Sequence, residues 1–158
     1  MDPSDFYNNF VKENYNDFIN NEYSIRCGFN AAVSAFHLAD HIYNYCSEHD
    51  QNKISGFRDK TEFLKYLSRK NQYFQDIQSI TNAYKHLYQK KPLADHVTIN
   101  SSGTIEVVPI RDIKIYGDTG EFVHYTKRKT GEKIRLSEAL TSVIEMWKQE
   151  LSHFGFII

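Results

Sequence analysis

The chain holds only two cysteines, three prolines, seven glycines and one tryptophan in 158 residues. Cys27 and Cys46 fall on one expected helix, roughly 28 Å apart at the α-helical rise, so they cannot pair without breaking it. Two unpaired thiols suit a reducing interior, and each reads as a small buried hydrophobe. The opening residues show no basic stretch followed by an apolar run. No window approaches the roughly 18 apolar residues of a membrane span. A cytoplasmic chain without a membrane segment is therefore expected. Charge of one sign is also missing, since 19 Lys+Arg oppose 20 Asp+Glu for a formal net charge of -1. That balance excludes a generally basic nucleic-acid coat and an acidic solvating tail. Glycine is scattered. The chain has no phosphate-cradling loop, no nucleophile elbow and no CxxC pair. Neither a cofactor nor a standard nucleotide-driven reaction is expected.

What is present is apolar and aromatic: 41% hydrophobic residues and 15% aromatics, including 11 Tyr and 11 Phe. Such a chain is not disordered, and its length suits one domain with its own core. Residues 4–20 repeat Phe6 or Tyr7, Phe10, Val11, Tyr15, Phe18 and Ile19 at three-and-four spacing, with Ser4 as candidate N-cap. Ser24 caps a second helix to about Ser47. Its stripe is Ile25, Phe29, Ala32, Val33, Phe36, Ala39 and Tyr43, and Ala35, Leu38, Ile42 and Tyr45 add apolar surface on the other side. A helix apolar nearly all round belongs at the centre of a bundle. Further helices are expected at about 59–69 and 71–90, the latter with Tyr73, Ile77, Ile80, Tyr84 and Leu87 on one face and Pro92 beyond its end.

The period then changes from 3.6 to 2. Val97–Ile99, Thr104–Ile110, Asp112–Tyr116, Glu121–Lys127 and Lys133–Leu136 read as short strands joined by Gly-containing turns. Ser137 caps a closing helix through Leu151, followed by an apolar tail that should pack. The expected class is α+β. A four-helix bundle (1–95) is followed by an antiparallel β-meander (96–136), then a closing helix and tail (137–158), all in one domain.

Three polar groups stand out. Asp40 lies within about 40° of Phe29, Val33 and Phe36 on the central helix, and a carboxylate there needs a partner. It could orient a histidine, with His37 one turn back and His41 adjacent, act as a metal ligand, or tie helices together as a structural carboxylate. His37-Leu38-Ala39-Asp40-His41 resembles the H-x-x-E-H zinc motif with Asp for Glu. No third ligand stands at a convincing spacing, so no metal site is assigned. Asn82 and His86 lie nearly opposite the apolar stripe of the fourth helix, with Lys85 at its flank. They form either an ordinary polar face or a set able to bind phosphate and move a proton near pH 7. Lys127, Arg128 and Lys129, with Lys133 and Arg135 across a turn and Tyr125 beside them, could meet a phosphate backbone and stack a base. The bland reading there is a solvated hairpin tip.

The segments Asn30–Asp40 and Ile80–Leu87 resemble a group of uncharacterised bacterial proteins with an A-x-H-L-A-D helix and an I-A-N-x-x-K-H helix. More distantly the chain resembles HEPN-like helical domains. These are bundles that often dimerise, occur in toxin and phage-defence systems, and in many cases cleave RNA without a metal. The HEPN motif is R-N-x-x-x-H. Asn82-Ala83-Tyr84-Lys85-His86 matches its second part, and Thr81 stands where the arginine belongs. Thr cannot stabilise transition-state charge as that arginine would, so Lys85 or a hairpin base would have to substitute. The resemblance implies RNA or a nucleotide as ligand, a homodimer, and Asn82 and His86, with Lys85 as a stand-in for the arginine, as catalytic residues; His37 and Asp40 join the candidate catalytic set from their place on the central helix. Two other functions stay open: a non-catalytic interaction or regulatory module, and a metal-dependent hydrolase using His37 and His41.

Overall fold

The computed structural model describes residues 1–22, 24–86, 125–127 and 132–158. Helix α1 (Pro3–Phe6) runs through a π-helical turn (Tyr7–Val11) into α2 (Lys12–Asn20). The cap is Asp2, not Ser4: its side chain accepts from the Asp5 amide at 2.9 Å, with Pro3 in the first turn, where its missing N–H costs nothing. Pro3, Tyr7 and Val11 are buried at spacings of four, which the wide π turn keeps in line. The resulting phase leaves Phe10 42% and Ile19 38% exposed, where simple helical spacing had placed them inward.

Helix α3 (Ile25–His49) is capped by Ser24, whose hydroxyl accepts from the Cys27 amide at 3.2 Å. It is the central helix, packed by α2, by α4 (Lys60–Lys70), by α5 (Gln72–His86) and by α6 (Leu136–His153). Its deepest face is Ala31, Ala32, Ala35, Leu38, Ala39, Ile42 and Cys46. Small residues there let neighbours reach the α3 backbone. Trp147 Nε1 donates to the Ala35 carbonyl at 2.9 Å and Thr81 Oγ1 to the Ala32 carbonyl at 3.2 Å. The expected central stripe through Phe29, Val33, Phe36 and Asp40 is the edge of the buried face. Phe29, Val33 and Asp40 are only half-buried, because α5 and α6 close on the alanine side.

Asp59 caps α4, accepting from the Glu62 amide at 2.9 Å, while Glu62 Oε2 accepts from the Arg58 amide at 2.7 Å. On α5 the buried line is Phe74, Ile77, Ile80 and Thr81. Tyr73 sits at its margin and donates to Glu138 at 2.6 Å. The expected extension of this helix over 87–90 lies outside the described residues.

The α+β class with a β-meander is corrected. The described chain is predominantly helical, and its one sheet is a single antiparallel pair, β1 (Tyr125–Lys127) with β2 (Lys133–Arg135). Tyr125 pairs with Arg135, Thr126 with Ile134 and Lys127 with Lys133. The second strand stops short of Leu136 for a packing reason. Leu136, Leu140, Val143, Trp147 and Leu151 are all buried at helical spacing, so Leu136 belongs to α6. Arg135 occupies the N-cap without a capping side-chain bond, and Ser137 lies inside the helix. The other expected strands, 97–99, 104–110 and 112–116, lie outside the described residues, as does the start of 121–127.

Cys27 and Cys46 are buried and unpaired, as their placement on one helix requires. Gly155, at φ 77°, turns the chain after α6, and the Phe156 amide bonds back to the Leu151 carbonyl at 2.8 Å. Phe154 is buried and Phe156 packs on Tyr45, but Ile157 is 90% exposed, so the tail packs only in part. No described helix is long and apolar enough to cross a membrane.

Candidate functional site

The C-terminal half of α3 presents two faces with opposite duties. Leu38, Ala39, Ile42 and Cys46 fill the core. His37, Asp40, His41, Asn44, Tyr45, Glu48 and His49, recurring at three-and-four spacing, line a cleft of about 560 Å³. Met1 and Phe6 form its opposite wall. Helix α1 positions that wall by packing against α3.

Asp40 is the hinge of the polar set. One oxygen, Oδ2, lies 3.1 Å from His37 Nδ1, and the other, Oδ1, lies 3.1 Å from Lys60 Nζ at the start of α4. An ionised carboxylate only accepts, so it holds the ring proton on Nδ1 and leaves Nε2 of neutral His37 with its lone pair. His37 and Asp40 are about one-third exposed, so the pair is accessible. His41 stacks on Phe6 with ring centroids 3.9 Å apart. Burial there pulls its pKa below the ordinary histidine value, against the opposing pull of Asp40. Farther along, Tyr45 and His49 stack at 4.2 Å, and His49 Nδ1 is 3.0 Å from the Tyr45 carbonyl. This arrangement can hold a planar or polar ligand and exchange a proton with it.

The structure brings His37 and Asp40 together, but His86 elsewhere. Thr81 sits opposite Ala32. From that level the His86 backbone lies roughly 7.5 Å toward the start of α3, and His37 roughly 7.5 Å the other way. Asn82 is half-buried on α5, and His86 and Lys85 belong to its last turn. The side chains of Lys85 and His86 lie outside the described residues. Thr81, in the position the HEPN motif gives to arginine, is fully buried against α3. Tyr125 and Lys127 are β1 residues in register with Arg135 and Lys133. Arg128 and Lys129 lie outside the described residues.

Among the described residues, no three His, Cys, Asp or Glu side chains are placed to hold a metal ion. His37 Nδ1 is held by Asp40, and the His41 ring stacks on Phe6.

Sequence reasoning missed Lys60, which comes from a different helix and carries no local signal. It also missed the continuation of the polar stripe through Asn44, Glu48 and His49, which the four-residue spacing from His37 and Asp40 does announce. Two buried carboxylates, Asp76 and Glu150, went unseen. Glu150 on α6 accepts from Tyr66 at 2.8 Å and pairs with Lys70 at 3.3 Å. It ties α4 to α6 away from the cleft. No known protein family, curated protein or solved structure matches this chain.

Proposed function

We propose that this chain is an HEPN-like helical protein that cleaves RNA without a metal ion, with His37 as general base and Asp40 as its orienting partner. The observation that carries this reading is the 3.1 Å His37–Asp40 contact at an open cleft. The proton such a base would take is that of a ribose 2′-hydroxyl. Nε2 removes it, the 2′-oxygen bonds to phosphorus as the P–O5′ bond breaks, and the 5′-oxygen leaves with a proton from water, giving a 2′,3′-cyclic phosphate and a 5′-hydroxyl. A positioned base is worth about 10²–10⁴-fold in rate. The HEPN likeness rests on Asn82-Ala83-Tyr84-Lys85-His86 of α5, a helix that packs on α3. Burial of Thr81 favours α3 over α5 for the acid–base role. A homodimer in a bacterial defence or toxin–antitoxin setting, with Tyr125 and the Lys127–Lys129 basic run contacting RNA, belongs to the same reading. Two free buried thiols agree with a cytoplasmic setting.

The test is cleavage of single-stranded RNA in chelator by wild type, His37→Ala, Asp40→Asn and His86→Ala. A loss of at least about 100-fold in His37→Ala is expected. Undiminished cleavage in that variant sinks the reading. Loss in His86→Ala with His37→Ala intact moves the chemistry to α5.

The second reading, a non-catalytic interaction module, is favoured by one observation. Phe10 and Ile19 stand 42% and 38% exposed on the N-terminal helices. An inert wild-type protein whose self-association is lost in Phe10→Asp would support it.

A further inference from the structure

We infer that the α3 cleft reads guanine, taking the base of single-stranded RNA on Asn44 and Glu48. This rests on the RNA reading above and names its substrate. Asn44 and Glu48 line the cleft one helical turn apart, and both are exposed. Neither makes a side-chain hydrogen bond or ion pair among the described residues. The neighbouring polar groups are already committed: Asp40 to His37 and Lys60, and His49 Nδ1 to the Tyr45 carbonyl. Beside the Tyr45 hydroxyl and His49 Nε2, this part of the wall therefore offers one free carboxylate and one free amide.

That pair discriminates among bases. An ionised carboxylate accepts and cannot donate. Guanine alone offers it two adjacent donors, N1–H and N2–H. Adenine and cytosine each place a ring-nitrogen acceptor beside their amino group, which the carboxylate repels. Uracil offers one N–H flanked by two carbonyl oxygens. The Asn44 amide can then donate to guanine O6. Side chains at i and i+4 are about 5–6 Å apart at Cβ, which matches an edge running from O6 through N1 to N2.

The surroundings suit a nucleotide. The Tyr45 and His49 rings, nearly parallel at 14°, form an aromatic ledge alongside the two polar residues. Bases are commonly held by such stacking together with hydrogen bonds to their Watson–Crick edge. The cleft volume of about 560 Å³ lies within the roughly 300–1,000 Å³ usual for small-ligand sites. His37 lies about 10 Å along α3 from Asn44, comparable with the reach of a nucleotide from its base edge to its phosphate.

The test is titration of the full chain with the 3′-monophosphates of guanosine, adenosine, cytidine and uridine at one ionic strength, because phosphate contacts alone are salt-dependent. The 3′-guanosine monophosphate should bind at least about ten-fold tighter than the others, and Glu48→Gln should remove that advantage. Glu48 is exposed, so the variant should fold, which circular dichroism checks. Equal affinity for all four, binding of none, or a guanine preference unaffected by Glu48→Gln overturns the inference. The RNA reading fails separately. If His37-dependent cleavage occurs without guanine preference, only the base assignment falls. If Glu48-dependent guanine binding occurs without cleavage, the base assignment stands and the catalytic reading falls.

Discussion

Lys60 Nζ contacts the oxygen of Asp40 that His37 does not use, each contact being 3.1 Å. The lysine comes from the first residue of α4 and the histidine from α3, so one carboxylate couples a helix–helix contact to the orientation of a ring. Asp40→Asn should keep the fold, since partly exposed ion pairs contribute only about 0–1 kcal/mol. It should lose the preference for the Nδ1-protonated tautomer, readable in nitrogen NMR shifts. RNA cleavage should fall with it. Lys60→Met should leave the tautomer in place and loosen the carboxylate, a smaller loss of activity with stability nearly unchanged.

The Phe6–His41 stack carries a pH dependence. Burial lowers the folded-state pKa of His41, so the unfolded chain binds its proton first as pH falls. The stability contributed is complete above the ordinary value of 6.5 and is lost as pH falls through the lower folded value. Phe6→Ala should open His41 to water and return its titration toward 6.5, followed by proton NMR. It should also cost about 1–2 kcal/mol, less than truncation of a fully buried Phe. A His41 midpoint unmoved in that variant would show that the stack is not the cause.

Glu150 predicts an effect at alkaline pH. Burial, followed by the hydrogen bond to Glu150, raises the Tyr66 pKa above 10.0. A raised folded value means stability that is full below pH 10 and lost as pH rises through the folded pKa. Tyr66→Phe should abolish that alkaline component. It should also cost about 1–3 kcal/mol in denaturant melts, because buried Glu150 then loses its hydroxyl donor and, among the described residues, keeps Lys70.

Thr81 tests the HEPN comparison from the other direction. Its side chain is fully buried and bonded to the Ala32 carbonyl. Thr81→Arg would bury an unpaired guanidinium against α3, and should destabilise by more than about 3 kcal/mol without raising RNA cleavage. A stable, more active variant would show that position 81 can open to the α5 surface.

Much of the helical core was readable from spacing alone. Ser24 as cap, α3 as the central helix, and the Leu140–Val143–Trp147–Leu151 line all follow from a 3.6-residue period. The meander was over-read. Alternating β-branched residues suit a strand, but Leu136 continues equally well into a helical line, and local propensity yields to packing at such a junction. Phe10 failed for a related reason: a π turn changes the phase of everything beside it, and nothing in the composition marks it.

The opening scarcities follow the same division. Few cysteines, placed far apart on one helix, determined by themselves that the thiols stay free, since helix length is a matter of residue count. Balanced charge likewise determined that any anion-binding site must be local. Where that site lies was decided only by tertiary structure. The residue that anchors Asp40 is distant in sequence, and the wall facing His41 comes from another helix. Contacts between helices depend on how their faces close, and no periodicity within a single helix encodes that closure.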